Sequence, residues 1–379
     1  MRTASTPQFR LAWLVVVSVV TLGASFAART AGTPVLPETP YDYDGIELPG
    51  HLQHNSVLRW DNSPGDNPIT DAGATLGRVL FYDVRLSRNE STSCASCHRQ
   101  EHGFSDPRPL SLGFDGKPTA RNAMGLAFAR YDRTRRFFWD GRTRTLEHLS
   151  LEPIQDPIEM GMTLADLEDR LAATAFYPDL FVDAFGTPEV TSERVAQALS
   201  QFVRSIVASN SRYDAAREAE EGLFGRPLAG LTDQENRGLE LFFGKGRCEQ
   251  CHSGDMFMGN GPTNNGLDST FTDLGVGGGR GRGAFKTVSL RNIELTAPYM
   301  HDGRFATLEE VVDHYSTGVR KSRTLDPRLR GVGGRPSRPA FSDDERAALV
   351  AFLRTLTDST IVTDPRWSDP FPAQAPTSR

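Results

Sequence analysis

The four cysteines of the chain fall into two copies of one pattern, and this constrains the fold more than any other feature. The copies are Cys94-Ala-Ser-Cys97-His98 and Cys248-Glu-Gln-Cys251-His252. The spacing C-x-x-C-H is that of covalent haem attachment. Two thiols add to the two vinyl groups of one porphyrin, and the adjacent histidine becomes an axial ligand of the iron. The sequence therefore predicts two haem c groups, with His98 and His252 as iron ligands.

Two other chemistries use cysteine pairs at this spacing. Such pairs bind zinc, and they also form dithiol redox centres. Neither chemistry requires a histidine directly after each pair, and the chain has only 8 histidines among its 379 residues. The repeated histidine therefore favours haem over zinc or a dithiol.

The first 27 residues have the organisation of a secretory signal. Arg2 and Arg10 accompany an apolar stretch from Leu11 to Ala24, and Ser25-Phe26-Ala27 suits cleavage. We expect residues 1–27 to be a signal peptide and the mature protein to be periplasmic. The competing interpretation is an uncleaved anchor, but the apolar stretch is short for a membrane span of ~20 residues.

The charge balance limits the partners. The chain has 42 basic and 48 acidic residues, which gives a formal charge of −6. A chain of this kind is a poor ligand for nucleic acid, and it is compatible with small basic electron carriers. We therefore expect no nucleic-acid partner.

The two halves of the chain repeat beyond the cysteines. The first cysteine pattern is followed by Arg121-Asn122, Trp139-Asp-Gly-Arg142 and Thr145-Leu-Glu147, and the second by Arg291-Asn292, His301-Asp-Gly-Arg304 and Thr307-Leu-Glu309. The matching order predicts that one haem module has been duplicated.

Helical signals surround each module. Apolar residues at helical spacing predict helices over Asp71 to Tyr82 and Glu193 to Val207, while capping boxes begin further helices at Thr232, Thr307 and Ser342. Strand patterns are nearly absent. We predict a mainly α fold of two cytochrome c-like domains in tandem, each around one haem, with many loops and little strand. The predicted order is a Pro-rich extension (28–64), a first domain (65–210), a linker (211–230), a second domain (231–360) and a loose tail (361–379).

The repeat allows the candidate sixth ligands of the two irons to be compared, on the side of each iron away from its histidine. Tyr315 shares a helix face with Leu308 and Val312, so it points to where the second haem should lie. Tyrosine is a known iron ligand, and a packed core tyrosine is the alternative. His314 lies off this apolar face, so we expect it to meet solvent or a propionate.

The position that corresponds to Tyr315 in the first module is Pro153, which has no side-chain donor. The first iron is therefore expected to be open unless Met160 or Met162 binds it. Glu159 is a candidate acid-base group near an open iron, and an exposed loop acid is the alternative. Trp139 is either an electron relay between the haems or a packed aromatic.

Four longer motifs carry a family resemblance: 76–87, 138–142, 153–160 and 290–303. From about Leu76 to Thr357 the chain resembles the bacterial di-haem cytochrome c peroxidase and MauG superfamily. The resemblance implies a high-spin first haem that binds H2O2 and a six-coordinate second haem that transfers electrons.

The resemblance also implies residue roles. Glu159 corresponds to the family's distal acid, and Trp139 corresponds to the tryptophan between the haems. Tyr315 stands where MauG-type enzymes have a tyrosine ligand and ordinary peroxidases have methionine, which favours the MauG-like branch. The residues that correspond to the family's ligands for one Ca²⁺ between the domains are Asn122, Thr296 and Pro298.

Three departures limit what the resemblance implies. The loop from Ser105 to Arg121 contains no histidine, so we expect no reductive activation step. Leu149 replaces a distal glutamine of the family. Gly246 stands where MauG has a surface tryptophan, so maturation of methylamine dehydrogenase is not implied.

These features together predict a periplasmic di-haem oxidoreductase that uses H2O2. Its other partner would be a small electron carrier, either a c-type cytochrome or a cupredoxin, or else a protein or organic substrate. The alternative is a di-haem electron carrier without catalysis, which requires Met160, Met162 or His148 on the first iron. A homodimer is left open.

Overall fold

The computed structural model describes residues 32–220 and 224–372, so the predicted signal peptide lies outside the described residues. Within these ranges the fold is mainly helical, as predicted. The α-helices are α1 (Asn55–Leu58), α2 (Asp71–Tyr82), α3 (Cys94–Cys97), α4 (Leu146–Gln155), α5 (Leu164–Ala172), α6 (Tyr177–Phe185), α7 (Ser192–Ser205), α8 (Arg212–Ala219), α9 (Asp233–Phe243), α10 (Leu308–Asp313) and α11 (Asp343–Arg354).

The remaining regular structure is short. Two strands, β1 (Pro262–Thr263) and β2 (Phe285–Lys286), pair antiparallel, with Thr263 opposite Phe285. A π-helical turn over His314–Gly318 continues α10. The 3-10 turns are Gly50–Leu52, Val84–Leu86, Gln100–His102, Ala129–Tyr131, Cys248–Gln250, Gly279–Gly281, Ile293–Leu295, Pro327–Leu329, Val332–Gly334 and Pro365–Trp367.

Side-chain caps set the starts of the main helices. The predicted capping boxes at Thr232, Thr307 and Ser342 are confirmed, because each side chain accepts from the N–H three residues on and each Glu returns the bond. Thr70 and Thr191 cap α2 and α7 through one such bond each. These bonds satisfy N–H groups that a helix start leaves free.

The same helix crossing occurs in both halves. In the first half α2 packs against α7, and in the second α9 packs against α11. A glycine lies at each crossing: a Cβ on Gly77 would overlap the carbonyl oxygen of Ala198, and a Cβ on Gly238 would overlap that of Ala348. Glycine therefore permits the close approach of the backbones.

Each half also has an equivalent ion pair close to its helix crossing. Glu147, of the first Thr-Leu-Glu segment, pairs with Arg204 on α7 at 2.6 Å, and Glu309, of the second, pairs with Arg354 on α11 at 3.3 Å. The first pair is mostly buried and the second is exposed. The shared geometry supports the predicted duplication of one module.

The two larger of the three apolar cores in the described ranges follow the two halves, with one exception at the C-terminus. Ile361 and Trp367 are buried in the first core, and the Trp367 indole N–H donates to the Ser205 hydroxyl at 3.1 Å. The Tyr82 hydroxyl in turn donates to the carbonyl of Trp367 at 2.6 Å. The prediction of a loose tail is therefore wrong for residues 361–372, because a buried tryptophan anchors this segment to the first half.

The predicted linker also contains packed structure. Helix α8 lies within residues 211–230, and its Tyr213 is fully buried in the second core. Asp214 of the same helix accepts two hydrogen bonds from the buried Arg291 at 2.9 Å. None of the helices in the described ranges combines the length and the apolar character that crossing a bilayer requires.

Candidate haem site

One continuous cavity runs between the two halves and contains both cysteine patterns. Its lining includes the first group, Cys94, Cys97 and His98, and the second group, Cys248, Cys251 and His252. It is mainly apolar, with contributions from the cores of both halves. The two predicted attachment sites therefore face a shared interior space.

Each histidine is oriented by a backbone carbonyl. His98 Nδ1 lies 2.9 Å from the carbonyl oxygen of Phe104, and His252 Nδ1 lies 3.2 Å from that of Phe257. Donation from Nδ1 leaves Nε2 as the ring nitrogen with a free electron pair. Burial lowers the pKa of both rings, to about 4 for His252, so both are neutral and can bind a metal at pH 7.

The cysteines fit covalent attachment to a porphyrin. All four are free thiols. Burial raises the pKa of Cys94 and Cys248 to about 12 and that of Cys97 to about 11, so the thiols are neutral. Reduced thiols that line an apolar cavity, each pair followed by a histidine, fit attachment to the two vinyl groups of a haem.

Glu159 lies at the cavity wall beside the first cysteine pair. Its charge contributes to the raised pKa of both Cys94 and Cys97, which shows that the carboxylate is close to them. Burial, together with the charge of Asp156, raises the pKa of Glu159 to about 7. The side chain can therefore accept and release a proton near neutral pH.

The candidate sixth ligands of the first iron differ in position. Met160 is buried and lines the cavity, together with Pro153 and Leu149. Met162 is buried in the first core but does not line the cavity. His148 is exposed at the start of α4, away from the cavity. Of the three alternatives that the sequence left open, the structure therefore brings only Met160 to the cavity.

Tyr315 lines the cavity in the second half. Its hydroxyl oxygen accepts a hydrogen bond from Asn265 Nδ2 at 3.3 Å, and burial raises the pKa of the phenol to about 12. Asn265 also lines the cavity. The sequence analysis missed Asn265, because it lies in a loop without periodicity, 50 residues before Tyr315.

The prediction that His314 meets solvent or a propionate is wrong for solvent, and contact with a propionate stays a prediction. Its side chain is buried, and Nε2 lies 3.1 Å from the carbonyl oxygen of Asn265. The cause is the π-helical turn over His314–Gly318. A π turn holds more residues than an α turn, so the consecutive residues His314 and Tyr315 both face inwards.

Trp139 is half-buried and lines the same cavity as the cysteine groups. Its indole N–H donates to the carbonyl oxygen of Asn122 at 2.8 Å, and the Asn122 N–H donates to the carbonyl oxygen of His301 at 2.8 Å. Trp139 and His301 occupy equivalent positions of the repeat. Asn122 thus joins them across the two halves.

The three predicted calcium ligands are close to the same junction. Asn122, Thr296 and Pro298 all line the cavity. Asn122 Nδ2 donates to the carbonyl oxygens of Arg108 and Pro109 at 3.2 Å. This orientation leaves Oδ1 as the amide atom that can bind a hard cation, which is what Ca²⁺ requires.

Comparisons with known proteins show the family to which the chain is similar. Residues 71–222 match the family model of di-haem cytochrome c peroxidase. Methylamine utilization protein MauG of Methylorubrum extorquens is 36% identical over 311 residues, which are 77% of this chain and 80% of that protein. Cytochrome c551 peroxidase of Nitrosomonas europaea is 33% identical over 292 residues, 75% of this chain and 79% of that protein.

A solved structure extends the similarity to three dimensions. A MauG-like protein associated with microbial copper homeostasis superposes with a TM-score of 0.73 at 34% identity. The match covers 84% of this chain and 98% of that chain. The similarity therefore spans both haem modules.

Proposed function

This chain belongs to the di-haem cytochrome c peroxidase and MauG family of haem oxidoreductases, and from that premise we propose that H2O2 reacts on the side of Glu159, above the haem held by His98. The membership supports two c-type haems and H2O2 as substrate. The assignment of the reaction to the first half rests on one observation. A carboxyl group whose pKa is about 7 lies beside the first cysteine pair.

The haem supplies the redox chemistry of peroxide reduction when it is bound. The task of the protein side chains is to move protons. Glu159 accepts the proton from the near oxygen of H2O2 at its carboxylate, and it returns that proton to the leaving oxygen, which departs as water. A pKa near 7 suits both steps, since neither transfer is then strongly uphill.

Two residues of α4 that line the same cavity have no proton to offer. They are Leu149 and Pro153, and neither has a side-chain donor. Glu159 therefore carries the proton transfer without a second side chain from these two positions. Leu149 stands where the family has a glutamine, so the side-chain donor that glutamine would supply is missing here.

We assign Trp139 as the positioning and relay residue between the two halves, and we assign Tyr315 and His252 as the residues that would hold the second haem iron. The hydrogen bond from Trp139 to Asn122 holds the indole across the junction. The hydrogen bond from Asn265 stabilises negative charge on the Tyr315 oxygen, because a donor favours the ionised phenol. Tyr315 supports a MauG-like rather than a methionine-ligated second site.

Three further features complete the proposal. One Ca²⁺ is held by Asn122, Thr296 and Pro298. The enzyme acts in the periplasm after removal of residues 1–27. The two haem domains lie on either side of the α8 region. The natural reductant is an electron-carrier protein, or the oxidised substrate is a protein or organic molecule. Packing of residues 361–372 on the first half means that the first domain includes this C-terminal segment.

The test is the optical spectrum of the ferric protein at room temperature, before and after rapid mixing with H2O2. High-spin features that disappear after mixing with H2O2 support the proposal. The absorbance change of the second haem should follow, and it should be slower in Trp139→Phe. A wholly low-spin spectrum with a methionine–iron band, unchanged by H2O2, would support an electron carrier in which Met160 binds the first iron.

A further inference from the structure

Four arginines that lack a carboxylate partner among the described residues lie on two adjacent segments of the chain. They are Arg59, Arg133, Arg135 and Arg136, and we call them the basic face. No ion pair within the part of the chain that the structure describes involves any of them, although the acids around them are paired with other residues. Asp61 pairs with Arg130, Asp132 pairs with Lys286, and Asp255 pairs with Arg217.

Hydrogen bonds connect the two segments that carry these arginines. Arg135 donates to the carbonyl oxygen of Asp61 at 3.1 Å, two residues from Arg59. The Arg59 guanidinium in turn lies 5.0 Å above the Trp60 ring. The carbonyl oxygen of Arg136 accepts from Lys286 Nζ at 2.8 Å.

The charges of Arg59 and Arg133 act on one another. Burial and the nearby charge of Arg59 lower the pKa of the Arg133 guanidinium, with Asp255 opposing them. Three of the four arginines, Arg59, Arg135 and Arg136, are exposed. Net-negative chains do not accumulate such charge on one face without a loss of stability from self-repulsion. An anionic partner would remove that cost.

The basic face is held on a rigid base. A separate apolar core beneath it contains Val57, Tyr131 and Met258 from three distant segments, with Trp60 packed against it. Leu58, beside Arg59, leaves 42% of its surface exposed. Charged side chains around an exposed apolar residue form a surface that suits a protein partner.

The basic face also borders the second haem site. Arg133 Nη1 donates to the Ser253 hydroxyl at 2.6 Å, and Ser253 directly follows the iron ligand His252. Lys286 Nζ donates to the backbone carbonyl of Arg136 and pairs with Asp132, and the backbone N–H of Lys286 donates to the carbonyl of Trp139 at 2.8 Å. A protein bound here would be next to both the second haem site and the relay residue.

We propose that the basic face is the docking surface for an acidic electron-transfer protein. The proposal rests on the peroxide-reducing function above and identifies its reductant class. Each docking event oxidises one reduced carrier and delivers one electron. Two events, with two protons, reduce one H2O2 to two molecules of water. The net charge of the chain is compatible with basic carriers, but the charge of the local surface decides which partner docks.

The experiment compares two charge-reversal variants of the full-length, haem-loaded protein. Arg59→Glu/Arg135→Glu alters the basic face, and the matched control Arg226→Glu/Arg335→Glu makes the same change in net charge at exposed arginines elsewhere. H2O2 turnover is measured with reduced plant plastocyanin, which is an acidic carrier, with reduced mitochondrial cytochrome c, which is basic, and with the small neutral donor hydroquinone.

We expect kcat/KM with plastocyanin to fall about tenfold or more in the basic-face variant, since reversed rim charges mainly slow association. The same variant should gain activity with the basic cytochrome, and hydroquinone turnover should stay unchanged. Equal losses in the control variant, or no loss with plastocyanin, would overturn the docking proposal.

Calorimetric titration of the oxidised protein with oxidised plastocyanin separates docking from catalysis. Binding that weakens at high salt and in the basic-face variant supports the docking surface even if no donor is turned over. Failure of hydroquinone and H2O2 to react in the native protein contradicts the peroxidase function alone. Absence of any charge-dependent binding contradicts the docking surface alone.

Discussion

Replacement of Glu159 by glutamine should slow the reaction with H2O2 and abolish its pH dependence. The pKa of Glu159 is raised from 4.5 to about 7, first by burial and then by the charge of Asp156. With that pKa about a tenth of the side chain is ionised at pH 6 and about nine tenths at pH 8. The second-order rate constant of the native protein should therefore rise about tenfold over this interval and level off above it.

The glutamine variant keeps the size of the side chain but cannot exchange a proton. General acid-base groups contribute about 100-fold to 10,000-fold to a rate, so Glu159→Gln should lose that factor at pH 8 and show no slope between pH 6 and 8. Stopped-flow absorbance under pseudo-first-order H2O2 measures both quantities. Glu101→Gln, at an exposed position in the same half, is the matched control and should leave both unchanged.

A second substitution tests the cause of the raised pKa. Asp156 Oδ1 accepts hydrogen bonds from the N–H groups of Ile158 at 2.8 Å and Glu159 at 3.2 Å, and asparagine retains that acceptor. Asp156→Asn should therefore move the midpoint of the pH profile below 7 while burial keeps it above 4.5. A Glu159→Gln variant with a native rate and profile, or a midpoint that rises in Asp156→Asn, would refute the reasoning.

Three further substitutions have distinct readouts. Tyr315→Met should produce a methionine–iron absorption band and a higher reduction potential of the second haem, because a neutral sulphur would replace an anionic oxygen; an unchanged spectrum would mean that Tyr315 is not the ligand. Added Ca²⁺ should raise the thermal midpoint of the native protein but not of Asn122→Ala, and equal shifts would contradict the calcium site. Gly77→Ala should lower the free energy of unfolding in urea by about 1–3 kcal/mol, because its Cβ would overlap a backbone carbonyl, whereas Gly65→Ala, with open space around it, should not.

The parts of the site that repeat along the chain could be predicted from sequence. The spacing of Cys94, Cys97 and His98 defines one attachment site by covalent chemistry, and its second copy defines the other. Capping residues such as Thr307 act within one turn of helix, so their effect is visible in a short window of sequence. The alignment of Tyr315 with Pro153 follows from that register.

The features that could not be predicted depend on contacts between distant residues or on local departures from ideal helix geometry. Asn265 reaches Tyr315 across 50 residues without any pattern that links them. Trp367 enters the first core after the chain has passed through the second. The inward position of His314 needs a π turn, which the amphipathic pattern of an α-helix does not reveal.

The basic face shows the same limit for electrostatics. Arg133, Arg135 and Arg136 are close in sequence, but Arg59 joins them only in the fold, through Asp61. The overall charge of −6 gives no indication that such a surface exists. Composition describes the average surface, whereas a docking partner meets one region of it.

A crystal structure of the haem-loaded ferric protein tests the central claim most directly, since that claim concerns the groups bonded to the first iron. We predict that His98 Nε2 is the only protein atom bound to it, with Glu159 on the opposite side of the ring. A bond from Met160 sulphur to that iron, opposite His98, would contradict the account and leave the protein as an electron carrier.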